Sequence, residues 1–144
     1  MKPTLIQLLL WIVAGSLALG QVPKKGDPFQ EFLFPPELVM RHQSALDLSS
    51  EQANYVLEQI QEAQRQFTGF QWRLQGEVET LARLLSGDTV DEQTALAQLN
   101  QVLDLERQIK KTHLTLAVRI KNRLTPEQRE ILRRIRQKAP EPPR

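Results

Sequence analysis

The stretch Leu85-Ser86-Gly87-Asp88-Thr89-Val90-Asp91-Glu92 decides the fold. Ser86-Gly87-Asp88 reads as a helix stop, with Gly87 expected at the left-handed C′ position that closes many helices. Thr89-Val90-Asp91-Glu92 reads as a helix start. In such a T-x-x-E capping box the Thr89 hydroxyl accepts from the Glu92 backbone, and the Glu92 side chain reaches back. A stop and a start this close together force the flanking helices antiparallel.

Working outward, no proline lies between Glu37 and Thr125. That stretch is rich in Leu, Gln, Glu and Arg, which favour helix. No run alternates with the period of two that a half-buried strand needs. Before the turn, a long helix starts at Leu48-Ser49-Ser50-Glu51-Gln52, with Ser49 as N-cap and Gln52 completing a capping box. Ala53, Leu57, Ile60, Phe67, Leu74, Val78, Leu81 and Leu85 follow a 4-3 spacing, and Gln64 and Gln71 fill the two skipped positions. This is a coiled-coil-like seam with a polar break. Gly69 and Gly76 share one face, as tolerated surface glycines or as a bend or close helix contact. After the turn, Leu96, Leu99, Val102, Leu103, Ile109, Leu116 and Ile120 are expected to face inward. Each helix has roughly 35 residues, so the hairpin is about 50 Å long. That is too long and thin for a compact monomer without help.

The prolines mark the flanks. A short first helix is predicted over Pro36–Leu46, with Pro36 in its first turn, where the missing N–H costs nothing. A fourth starts at Leu124-Thr125-Pro126-Glu127-Gln128: Thr125 caps, Pro126 sits at N1 and Gln128 closes the box. Its apolar stripe is Ile131, Leu132 and Ile135. The expected fold is therefore all-α, four helices built on a long antiparallel hairpin. Residues 36–138 form the helical domain and 139–144 a disordered tail. Residues 21–35 read as an extended arm whose Phe29, Phe32, Leu33 and Phe34 either pack on the helices or dock on a partner. Residues 1–20 read as a cleavable export signal: Lys2, then a mostly apolar Leu5–Leu19, then Ala18-Leu19-Gly20 before Gln21. The rival reading is an uncleaved anchor, although a span needs about 20 apolar residues. Either way the body is exported, so a periplasmic location is expected and nucleic acid is disfavoured as a partner.

The chain of 144 residues contains no cysteine, which excludes disulfides, thiolate metal sites and a cysteine nucleophile. Neither histidine, His42 nor His113, has a second His or Cys one turn away. They are weak metal candidates, and no cofactor is expected. No H-E-x-x-H, G-x-S-x-G or nucleotide loop appears, and a thin hairpin offers no pocket, so catalysis is not expected. Charge is segregated. Residues 27–106 hold fourteen acidic and four basic residues, whereas 107–138 hold eleven basic and two acidic. Either the segments neutralise one another, or the basic one forms a face that steers acidic or unfolded partners. Simple register places Glu106 near Gln71 or Arg73 and His113 near Gln59 or Glu62. A polar layer of Arg73 with Glu106 is expected to fix the alignment; the alternative is a partly exposed face.

The cap L-[ST]-x-E-Q occurs twice, at Leu48–Gln52 and Leu124–Gln128. In an exported, all-helical chain of this size it resembles the L-T-x-x-Q signature of the Spy/CpxP family, which includes the ZraP and CnrX-like periplasmic metal-resistance proteins. The likeness spans roughly residues 35–138, with Ser49 where the family prefers threonine. It implies a dimer of hairpins forming a curved cradle that holds unfolded envelope proteins without ATP. It also implies, as an alternative, a heavy-metal or envelope-stress regulator acting through a membrane-bound sensor protein. Leu48, Ser49, Gln52, Leu124, Thr125 and Gln128 carry over as fold-defining caps. Client contact is expected at Phe29, Phe32, Phe34, Met40, Phe70, Trp72, Arg119, Arg123 and Arg133.

Overall fold

In the computed structural model, Phe29 and residues 32–138 are described. The predicted leader, most of the arm and the tail lie outside them. The helices are α1 (Pro36–Arg41), α2 (Ser50–Leu85), α3 (Glu92–Arg123) and α4 (Pro126–Lys138). No strand occurs among the described residues. Helices α2 and α3 form the long antiparallel hairpin, and α1 and α4 pack at its open end, called the base here. The turn between α2 and α3 is the tip.

Helix α1 ends at Arg41, not at Leu46 as predicted. The chain makes one further turn of its own, in which Leu46 N–H donates to His42 C=O at 3.0 Å. It closes where Leu48 N–H reaches back to Gln43 C=O at 3.1 Å and Asp47 N–H to Ser44 C=O at 3.2 Å. Asp47 sits at φ 49°. This 6→1 and 5→2 pairing around a left-handed residue is the Schellman closure, and aspartate tolerates that conformation better than most residues. The closure reverses the chain before Ser49 and drops Leu46 into the core.

The tip also differs from expectation. Helix α2 ends in a right-handed Ser86, whose N–H donates to Ala82 C=O at 3.1 Å. Gly87 is not left-handed; what constrains it is the Thr89 carbonyl, 3.1 Å from where a Cβ would stand. The Thr89–Glu92 box does not form. Asp91 is the N-cap of α3, accepting from Thr94 N–H at 2.8 Å, and Glu92 is the first helical residue. Two cap-forming residues, Thr89 and Asp91, competed, and the carboxylate lies two positions nearer the first helical turn.

Apolar residues separate into two clusters. At the base, Phe34, Val39, Leu46, Val56, Ile120, Leu124 and Leu132 enclose one another. Along the hairpin, Phe67, Leu74 and Leu81 meet Val102, Leu105 and Ile109. On α2 the row Ile60-Phe67-Leu74-Leu81 faces inward as expected, but near the base Val56 replaces Leu57, which is 45% exposed. On α3, Leu105 and Thr112 are buried, whereas Leu96, Leu99 and Leu103 are exposed. Adjacent helix positions point about 100° apart. Val102 and Leu103 therefore belong to two separate apolar stripes, of which α2 can cover one. An added Cβ at Gly69 or Gly76 would meet nothing within 4 Å, so neither glycine admits a close helix contact.

Candidate functional site

The two copies of the cap meet at the base. Each glutamine closes its own box: Gln52 N–H donates to Ser49 Oγ at 3.1 Å and Gln52 Oε1 accepts from Ser49 N–H at 3.2 Å. Gln128 does the same with Thr125, at 3.2 and 2.9 Å. That leaves each side-chain NH₂ with two donors to place. Gln52 Nε2 donates to Gln128 Oε1 and to Arg123 C=O, both at 2.9 Å. Gln128 Nε2 donates to Gln52 Oε1 at 3.1 Å and to Leu46 C=O at 3.2 Å. The result is a reciprocal amide clasp. It ties the start of α2 to the start of α4, and it satisfies the backbone carbonyls where the α1 segment and α3 end. A second clasp holds the arm. The Arg136 guanidinium lies 5.1 Å over the Phe34 ring and donates to Leu33 C=O at 2.9 Å. Burial, with Arg133 adding to it, lowers the pKa of Arg136.

The hairpin above the base has two unlike faces. One carries a shallow groove of about 210 Å³ lined by Gln59, Glu62, Gln66, Gln108, Lys111 and Arg119. The Glu62 carboxyl is held below its ordinary range by hydrogen bonds from Arg65 and then Gln66. Helical periodicity turns Leu57 of α2 and Leu99 and Leu103 of α3 toward the opposite face, with Trp72, Leu96 and Leu114 on its outer flanks. Trp72 is 72% exposed. This apolar face has no covering element among the described residues.

The predicted polar layer does not form. No ion pair joins Arg73 to Glu106. Leu74 and Leu105 take the inward positions, which turns the neighbouring Arg73 and Glu106 off the seam. Register is instead held by Gln98 Nε2, which donates to Glu77 C=O at 2.9 Å and to its carboxylate at 2.6 Å. Arg119 adds a 2.8 Å bond to Gln59 Oε1, and Arg123 pairs with Glu51. His113 is not beside Gln59 or Glu62; its ring stacks on Phe67 with centroids 5.1 Å apart. His42 is half-buried, its carbonyl accepting from Leu46. Among the described residues no three of His, Asp and Glu converge on a point that suits a metal ion.

The expected contact residues scatter. Phe34 is enclosed, and Met40 and Phe70 pack half-buried against the two cores, so these three offer little surface. Arg123 lies 5.2 Å over the Tyr55 ring, and Arg133 pairs with Glu130 at 2.9 Å. Phe29, Phe32 and Trp72 are exposed. Sequence reading missed the mutual engagement of Gln52 and Gln128, although the signal was present. A box-closing glutamine always leaves an NH₂ to place, and two identical boxes supply two complementary amides.

A family model described as heavy-metal resistance matches residues 5–138, and the chain belongs to that family. The family is one of Spy/CpxP-like periplasmic proteins of a non-enzymatic, resistance or adaptor type. No curated protein and no solved structure matches the chain. No helix among the described residues is long and apolar enough to cross a membrane.

Proposed function

We propose that this protein is a periplasmic, ATP-independent holding protein that binds partly unfolded envelope proteins damaged under metal stress. The carrying observation is the apolar face of the hairpin. Leu57, Trp72, Leu96, Leu99, Leu103 and Leu114 stand exposed on a frame whose other face is polar. A monomeric soluble surface rarely leaves so long an apolar stripe without a binding role. Glutamines and lysine between these residues, Gln61, Gln64 and Lys110, keep the face wet enough for weak, reversible binding.

We propose further that the working unit is a homodimer paired along the tip half of this face. There Leu96, Leu99 and Leu103 repeat at 3-4 spacing, as a helix–helix seam requires. The base half, around Leu57 and Leu114, is then left for clients. No cofactor or catalytic group enters this reading. The test is light scattering from two unrelated denatured envelope proteins in the presence of residues 21–144. Suppression of both at near-equimolar ratio, weakened by Leu57→Gln with Leu114→Gln, is expected; no suppression overturns the reading.

The family's heavy-metal description favours a second reading, a metal-responsive regulator acting through a membrane-bound sensor protein. Calorimetric titration of zinc, nickel and copper separates the two. Micromolar binding lost in His113→Ala, without holding activity, selects the regulator.

A further inference from the structure

Phe29 and Phe32 are 62% and 57% exposed, yet they are not on a loose end. Phe32 N–H and Leu33 N–H both donate to Phe29 C=O, at 3.0 and 3.2 Å, which folds the two rings into one turn. The next two residues are anchored: Leu33 C=O accepts from Arg136, and Phe34 is buried beneath its guanidinium. The turn is therefore pinned to α4. That helix carries Arg129, Arg133, Arg134, Arg136 and Lys138 against Glu127 and Glu130 alone. The far end is opposite in sign. Between Leu84 and Glu106 there are five acidic residues, Asp88, Asp91, Glu92, Asp104 and Glu106, and no lysine or arginine. The molecule is thus a rod about 50 Å long, with a cationic, aromatic base and an anionic tip.

We infer that the base is a docking surface for an anionic lipid bilayer. Two exposed aromatic rings beside an arginine-rich helix match an interfacial anchor, in which rings enter the headgroup region and cations stay with lipid phosphates. The acidic tip is repelled by the same surface, which sets the rod upright with the apolar hairpin face clear of the membrane. Each basic residue near an anionic surface strengthens binding by about fivefold, and a single short apolar contact is weak, so both elements are needed.

Every contact described above lies between Phe29 and Lys138, so the chain Gln21–Arg144 serves for the test once circular dichroism shows its helices. The probes are vesicles of phosphatidylglycerol mixed with phosphatidylethanolamine, and vesicles of phosphatidylcholine alone. Flotation with the first and not the second is expected, falling at least tenfold between 50 mM and 500 mM salt. Phe29→Ser with Phe32→Ser, and separately Arg133→Gln with Arg134→Gln, should each reduce flotation about tenfold or more while helicity is kept. Val90→Ser, an exposed position in the tip turn at the other end, should leave it unchanged. Failure to float with anionic vesicles overturns the inference, as does equal flotation with both lipids or loss confined to the Val90 variant. Lipid-free self-association abolished by Phe29→Ser with Phe32→Ser, in a chain that does not float, would assign the turn to a second copy instead.

Discussion

The cores of the base and of the hairpin toward the tip are built from the same kinds of apolar residues and differ in how many elements meet. At the base, α1, the turn before Ser49, α2, α3, α4 and the Phe34 arm converge. Apolar side chains there have neighbours on every side: Leu132 and Val56 are fully enclosed. At the tip only two helices meet. A pair of helices buries one stripe from each, so any second stripe faces water. That is why Leu124 is enclosed at the base while Leu96 and Leu103 are exposed toward the tip. The contrast teaches a division of labour. Stability is concentrated where four helices close on a polar clasp, and the hairpin projects from it as a binding frame that need not hold itself together.

The widest test of that contrast is a matched pair of truncations. Leu132→Ala removes an enclosed side chain from the base and should cost about 3–4 kcal/mol in urea denaturation, given the usual range for buried leucine. Leu103→Ala removes a half-exposed one from the outer stripe and, in protein dilute enough to be monomeric, should change stability by less than about 0.5 kcal/mol. Comparable losses at the two sites in the monomer would break the contrast, whereas a Leu103 effect that grows with protein concentration, with a dimer in sedimentation, would show the outer stripe covered by a second copy.

The clasp comes next. Gln128→Ala deletes four side-chain hydrogen bonds and strands the Gln52 amide and the Leu46 carbonyl in a partly buried site. Unsatisfied buried groups cost about 1–3 kcal/mol each, softened here where water can enter, so a loss of about 2–3 kcal/mol is expected. Gln128→Glu tests the mechanism rather than the bulk. A carboxylate still accepts from Thr125 but cannot donate to Gln52 or Leu46, so it should recover little. If Gln128→Glu were as stable as the native chain, the donors would not matter and the pairing of the two motifs would be incidental.

Arg136→Gln should cost less, about 1–2 kcal/mol, through loss of the cation–π contact and of the bond to Leu33. Its clearer readout is local. Proteolysis near Phe32 should accelerate severalfold while the hairpin amides keep their protection. Equal loosening of the hairpin would show that the arm and the base core form one cooperative unit rather than a hinged attachment.

The sequence supported the architecture well and the inner faces less well, and the reason is physical. Helix boundaries depend on capping chemistry within four residues, so Ser49, Gln52, Thr125 and Gln128 could be read directly. The failures fall where two local solutions competed. Thr89 and Asp91 both offered caps, and Val102 and Leu103 both offered inward leucine-like positions. A one-residue choice rotates a helix face by about 100°, and only the position of the partner helix decides it. Arg136 over Phe34 joins residues about a hundred positions apart, and no periodicity encodes that. Asp47 in the left-handed region was illegible for another reason: the chain there gives no glycine signal, and aspartate supplies the closure instead.

The smallest effect separates the two ends by their caps. At the base both boxes, Ser49 with Gln52 and Thr125 with Gln128, are made of uncharged side chains and do not titrate. At the tip the cap of α3 is the Asp91 carboxylate, held below its ordinary value of 3.8 by hydrogen bonds from Thr94. A carboxyl whose folded pKa is depressed contributes stability that is fully present above its unfolded value and is lost as pH falls through the folded one. Acidification below about 3.8 should therefore fray the first turn of α3 while the neutral boxes stay closed. At the base, Glu127 is also held down, by its own backbone N–H and then the Thr125 hydroxyl, so α4 loses one contact there but keeps both halves of its box. Amide exchange at Thr94 and Ala95, corrected for the intrinsic rate, should lose protection between pH 4 and pH 2 before Gln52 and Gln128 do. In Asp91→Asn, which caps without titrating, that pH dependence should vanish at nearly unchanged neutral stability. If both ends lost protection together in the native chain, the tip would not be an independent unit, and the division between a closed base and an open frame would fail.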